Sequence, residues 1–383
     1  TAFVTTNSIS QGVVVSILWP AIFDTGHEIA FAHTSFKWAN LAAYNAGVTV
    51  VIVGMSRNCG PLRKLYGVDA DGCTFVKSAT NINPYLAPGA NVLVENVRAP
   101  ICNLPEMVRG NMAVDGGHLI MTADELAELN LNKDQHDRYV RPFLGSAEFI
   151  RGAVRYCLWI EDEHLREAAS IPSIAKRIES VREMRLSSAN EATIADAAFP
   201  HRFSQVRQNI HEQAFIVPRV SSESREYLPV GALGPHPIVN DNAYAIYDAP
   251  VWSLALIASR IHLVWIAAVC GKMKTDYRYS SNLGWNTFPV PILTEKNKAD
   301  LTRCAENILL AREAHFPATI ADLYDPEKMP ADLRNAHGQN DEVLERIYIG
   351  RRFKNDTERL EKLFDLYTKM TVEQTKKVAR KSV

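Results

Sequence analysis

No two cysteines in the sequence stand at the spacing of a metal site or a redox pair. Cys59, Cys73, Cys102, Cys157, Cys270 and Cys304 are scattered singly, with no CxxC and no Cys/His cluster. That excludes a disulfide framework and a structural zinc as first readings, and fits a reducing cytoplasm. Long apolar runs are absent too. Ile261–Cys270 (IHLVWIAAVC) is the longest, contains a histidine, and is too short to span a bilayer, so no membrane partner is expected. Excess charge of either sign is missing: 42 Lys and Arg face 43 Asp and Glu, for a net charge of −1 and a pI near 6.8. No global field therefore attracts nucleic acid, although a local basic face remains compatible.

The usual catalytic signatures are also absent. There is no GxGxxG or FxGxG loop, no P-loop, no HExxH, no GxSxG and no [DNS]PP[YFW] tetrad. Asn83-Pro84-Tyr85 is a shortened echo of that tetrad inside a turn-rich loop, and is read as structural. Gly116-Gly117 is read as a turn.

What is present is a globular composition, 47% hydrophobic and 22% charged over 383 residues, enough for two or three domains. Phe3–Thr5 reads as a short strand. Ser10–Phe23 has helical spacing, with Val14, Ile17, Leu18 and Ile22 on the expected inner face. His27–His33 and the β-branched run Val48–Gly54 read as strands. Strand, helix, strand, strand is expected of the tail of an α/β sheet. The start at Thr1, already in a strand-like run, is expected of a piece of a longer polypeptide; a small independent α/β unit is the alternative. From Asn58 to Leu293 the helices are short and the strands irregular. Helices are expected at Ala123–Leu131 and Ile171–Ser188, the latter with its basic residues on the polar side. Strands are expected at Phe215–Val220 and Arg225–Val230, and one or two apolar helices at Ala249–Gly271. After Thr294 the spacing predicts helices at Asn297–Arg312, Met329–Ala336, Asp341–Tyr348 and Asp356–Lys369, with Asp356 capping the last. The fold class is thus α/β and α+β, multidomain: residues 1–57 a sheet, 58–294 a mixed α+β domain, 295–383 helical.

Three short stretches carry chemistry. In KTDYRYS (Lys274–Ser280) an extended chain would point Lys274, Asp276, Arg278 and Ser280 one way and the tyrosines the other. Lys and Arg donate to guanine O6 and N7, and Asp accepts from cytosine N4, so the row could read base edges. A solvated strand edge whose charges satisfy one another is the competing reading. In PRVSSESREYL, Arg219, Ser221, Ser222, Ser224 and Arg225 mix hydroxyls and guanidinium groups, which suits phosphate oxygens. An ordinary polar turn is equally compatible. In FKW, Phe36 and Trp38 could stack on an extruded base or pack in the core.

Further stretches form a series: TNSISQG (Thr6–Gly12), ILWP, FAHTSFKWAN, VRGNMAVDGGHL, RPFLGSAEFIRG, PRVSSESREYLPVG, CGKMKTDYRYSSNLGWNTFPVP, IADLYDPEKMP and FKNDTERLEKLFDLY. End to end and in order, the chain resembles the MmeI-type single-chain restriction–modification enzymes and their methyltransferase relatives. The resemblance implies the portion after the catalytic tetrad: the last strands of a Rossmann-like N6-adenine methyltransferase sheet, a target recognition domain and a helical end. It implies double-stranded DNA as partner, S-adenosylmethionine as cofactor of the parent polypeptide with its binding loop outside this chain, and Mg2+ only if a nuclease lies upstream. Phe36, with Trp38 as alternate, is implied to stack on the flipped adenine. Lys274 and Asp276 are implied to read one G·C pair, and Arg278 with Asn242 a neighbouring position, with Ser280 beside them. Arg219, Ser221, Arg225 and Arg207 are the implied phosphate contacts. A non-catalytic specificity subunit acting with a separate methyltransferase is the alternative, and a prokaryotic cytoplasm the implied location.

Overall fold

The computed structural model describes residues 1–38, 48–68, 72–208, 213–273 and 275–381, with side chains as far as 373. The chain opens with a five-stranded sheet. Its strands are β1 (Ala2–Thr6), β2 (Glu28–Lys37), β3 (Thr49–Ser56), β4 (Arg63–Val68) and β5 (Thr74–Ala79), in the order β1-β3-β2-β4-β5. Only β2 and β4 run parallel. Val51 and Val53 of the β-branched run are buried at the sheet's centre. The expected strand, helix, strand, strand order is present, and two more strands extend the sheet to Ala79.

Helix α1 (Val13–Phe23) corrects one expectation. Val15 and Trp19 face inward, whereas Val14 is exposed and Ile17 is 73% exposed. The helix is apolar almost all round, so periodicity could not choose its face. A tertiary bond does: the Trp19 indole donates to the Ile9 carbonyl at 2.7 Å.

The middle of the chain builds two small sheets and a satellite lobe. Strands Gly231–Leu233, Ala214–Pro218, Ala243–Tyr247 and Val108–Arg109 pair antiparallel in that order. The expected strand at Arg225–Val230 is not there. Pro229 offers no N–H to a ladder, and Tyr227 is instead an anchor, stacked on His337 at 4.1 Å with its hydroxyl donated to Asp341. The lobe packs on the helix Pro172–Leu186, whose Arg185 is 1% exposed rather than on the polar side. Its guanidinium donates to five carbonyls, those of Ala113, Val114, Asp196, Phe199 and Arg202.

The helical end corrects two further expectations. Met329–Ala336 and Asp341–Tyr348 are parts of one helix, Ala331–Ile349. His337 and Asn340 face inward there, on the carbonyls of Ala258 and Ala255, so the polar stretch is a buried seam and not a break. Asn355, not Asp356, caps the last helix, Asp356–Lys381, by accepting from the Glu358 N–H. Asp356 is freed to pair with Arg260 and Arg359.

Asn83-Pro84-Tyr85 is structural, as read. Asn83 is fully buried and accepts from the Tyr85 and Ala87 N–H groups, while Tyr85 accepts from Val94 and stacks on Phe364. One contiguous apolar core runs from Val15 of α1 through the helices Trp252–Ile257 and Arg260–Val269 to Tyr367. The sheet, the middle and the helical end are therefore welded together. Among the described residues no helix is long and apolar enough to cross a membrane.

Candidate nucleic-acid interface

The KTDYRYS stretch is a hairpin, not a single strand. Lys272–Met273 pairs with Asp276–Arg278, Met273 facing Asp276, and Val220–Ser221 adds a third strand against Arg278 and Tyr277. Thr275 sits in a turn, and Lys274, the expected partner of Asp276 in reading one base pair, lies outside the described residues. After the turn the alternation holds. Tyr279 is 2% exposed, and its hydroxyl lies 2.9 Å from Nε2 of the fully buried His262. Burial holds that imidazole neutral, with its pKa pushed down to about 3. Tyr277 is partly buried, and Arg278 is exposed, its side chain making no hydrogen bond or ion pair among the described residues. Ser280 follows, partly buried.

The serine-arginine cluster divides. The Arg219 carbonyl accepts from Tyr279 N at 2.8 Å, which fixes Arg219 beside the hairpin. Its Nη1 donates to the Asp241 carbonyl at 2.9 Å, and its guanidinium lies over the Tyr244 ring at 5.6 Å. Arg225 is partly buried and donates to Ser221 Oγ at 3.2 Å. Ser221 is only 3% exposed, so it braces Arg225 and faces no solvent. Burial lowers the Arg225 pKa, and Asp276 and Asp325 oppose that shift.

The loop at Asn240–Asn242 is built by stretches far away in sequence. Arg109 donates to the Asp241 carbonyl at 2.9 Å and to its carboxylate at 2.6 Å. Ser146 Oγ donates to the Asn242 carbonyl, and Asn240 Oδ1 accepts from Asn242 N. Gly145 is there because a Cβ would stand 2.4 Å from the Asn240 amide. Asn242 is left exposed at the tip. Exposed Arg207 hangs on the same scaffold, its N–H on the buried Asn111 side chain at 2.6 Å. Phe36 and Trp38 end β2. Phe36 is half-buried, edge-on to His33 at 4.8 Å, and Trp38 is 43% exposed.

Between β1's carboxyl end and the hairpin lies a cleft of about 970 Å³. Asn7, Thr49, Arg219, Lys272, Arg278 and Ser280 are among its walls. Among the described residues three cations and no carboxylate line it, in a chain whose net charge is −1. Lys272 is held by Glu223 at 3.1 Å from outside the lining. Of the residues anticipated from sequence, Arg219, Arg278 and Ser280 come together here, whereas Arg207, Arg225 and Asn242 stand outside the lining. Asn7, Lys272 and the Arg109–Asp241 pair were missed: Lys272 and Arg109 act through partners distant in sequence, and Asn7 is marked only by its place in the cleft. The cleft's floor is a contact of two glycines: a Cβ on Gly12 would sit 3.3 Å from Gly271 N.

Three family descriptions match the chain in order: the MmeI DNA-methyltransferase domain over residues 1–67, the MmeI target recognition domain over 88–292 and the MmeI C-terminal domain over 293–374. DNA methyltransferase A of Bacillus subtilis (strain 168) is 41% identical over 370 residues, covering 97% of this chain and 41% of that protein. The structure of the type IIL restriction–modification enzyme MmeI in complex with DNA superposes with a TM-score of 0.84 at 34% identity, over 97% of this chain and 50% of that one. The chain thus spans half or less of the length of each. Matched along all three parts, it belongs to the MmeI family and carries a piece of the methyltransferase domain, the target recognition domain and the C-terminal domain.

Proposed function

We propose that this chain is the sequence-reading portion of an adenine-N6 DNA methyltransferase, in a restriction–modification polypeptide of the prokaryotic cytoplasm. The cleft carries the reading: three cations without a carboxylate among the described residues, at the junction of sheet and hairpin, suit a phosphodiester chain. Lys274, Asp276, Arg278, Asn242 and Ser280 are the proposed base readers. Arg219, Arg225 and Arg207 are the proposed phosphate contacts, with Ser221 supporting Arg225. Phe36, with Trp38 as alternate, is the proposed stacking partner of a flipped adenine. The proposed division is 1–57, 58–294 and 295–383. S-adenosylmethionine would supply the methyl group in the parent protein. No glycine-rich cofactor loop occurs among these residues, so no residue here is assigned to it. Mg2+ would be needed only by an upstream nuclease. The core shared by sheet and recognition domain favours this over a free-standing specificity subunit.

The test is to express the complete parent gene in a host without adenine methylation and to sequence its native DNA by polymerase kinetics. A short asymmetric motif with N6-methyladenine on one strand is the expected result. Replacing Lys274 and Asp276 together should then change one base pair of the motif and spare the others. A soluble, folded parent protein that neither binds duplex DNA nor leaves any motif would overturn the proposal.

A further inference from the structure

Two N–H donors of cleft-lining residues have no acceptor among the described residues, and neither nitrogen is open to solvent. Asn7 lines the cleft at 9% exposure, and its Nδ2 has no hydrogen-bond partner; Arg219 lines it too, and its Nε has none. A donor removed from water without an acceptor carries its full desolvation cost, and native proteins keep few of them. Both groups only donate. A base edge would present donors as well as acceptors, but a phosphodiester oxygen only accepts. The lining cations Arg219, Lys272 and Arg278 favour the same anionic ligand.

We infer that DNA binding uncovers Asn7 Nδ2 and Arg219 Nε and that both then donate to a phosphodiester oxygen of the strand that carries the extruded nucleotide, which makes Asn7 a positioning residue for that nucleotide. The inference rests on the DNA-methyltransferase reading above. It has a signature that a structural asparagine lacks. Removing an amide that only the complex satisfies should leave the free protein as stable or more stable, while weakening the complex.

The experiment uses the full parent polypeptide and a duplex of its own methylated motif. Binding is followed by fluorescence anisotropy, base extrusion by 2-aminopurine at the target position, and stability by thermal unfolding. For Asn7→Ala the expected result is an unchanged or higher melting midpoint, roughly tenfold weaker binding and a matching loss of 2-aminopurine signal. Asn7→Asp should bind more weakly still, because its carboxylate repels the phosphate. On stereopure Rp and Sp methylphosphonate duplexes modified beside the target adenine, wild type and Asn7→Ala should bind alike on the diastereomer whose methyl group replaces the contacted oxygen. A lowered midpoint with unchanged affinity would make Asn7 structural and overturn the inference. A tenfold loss that persists on both diastereomers at every flanking position would move the contact to a base and overturn the phosphate assignment. A wild-type protein that binds no duplex would remove the functional reading itself, an outcome separable from both.

Discussion

Arg219, at the bend before the strand Val220–Ser221, and Arg278, on the strand paired with it, are neighbours, yet their surroundings assign them different work. Arg219 is tethered at its backbone and guanidinium by Tyr279 N and the Asp241 carbonyl, as suits a group that fixes register. Arg278 is untethered and exposed, as suits a group that meets a base edge. Arg219→Ala should therefore lower the slope of log K against log salt by roughly one unit and leave the methylated motif intact. Arg278→Ala should relax one base pair of the motif, at a cost of about 1–3 kcal/mol on the matched duplex. Salt titration of binding and native-DNA sequencing separate the two. Both arginines were visible in the sequence as candidates. Their division of labour was not, because it depends on Asp241 and Tyr279, each distant from Arg219 along the chain.

At the scale of elements, the hairpin depends on its seat. Gly12 holds φ 60° and ψ −157°, a backbone region open essentially to glycine alone, and its Cα faces Gly271 at the foot of the hairpin. Gly12→Ala should cost about 1–3 kcal/mol in chemical denaturation and weaken DNA binding beyond that loss, because the hairpin shifts against β1. Strands and helices were legible wherever the pattern was one-sided or β-branched, as at β3 and the paired helices Trp252–Ile257 and Arg260–Val269. Reading failed where a residue's role was set by a contact from elsewhere. Trp19 rotated α1, Tyr227 replaced a strand, and the seam of His337 and Asn340 joined two expected helices into one.

For the whole molecule, buried ionisable groups set opposing dependences on pH. His262 and His337 are fully buried, each with its pKa pushed down to about 3 by desolvation. Their contribution is complete above the unfolded histidine value and is lost as pH falls from about 6.5 toward 3. The limiting slope is about 1.4 kcal/mol per pH unit for each. Asp341 is buried with its pKa raised to about 6, chiefly by desolvation. Its contribution is full below about pH 4 and is lost as pH rises through 6. Relative to Asp341→Asn, wild type should therefore lose stability between pH 4 and 6, while both lose stability to the histidines below 6.5. Urea denaturation across that range checks the signs.

The sequence by itself determined the fold class, the family resemblance and most helices, since these follow from local periodicity and from stretches that keep their order. It determined that Arg219, Arg278 and Ser280 were candidates, because their residue types fit DNA chemistry. Only the tertiary structure decided that Asp276 pairs with Met273 in a hairpin, that Ser221 braces Arg225, and that Asn7 joins Arg219 across a cleft. The reason is physical. Periodicity reports which residues leave water, whereas a binding site depends on which residues meet after they do. That meeting is set by contacts such as Gly12 on Gly271, separated by most of the chain.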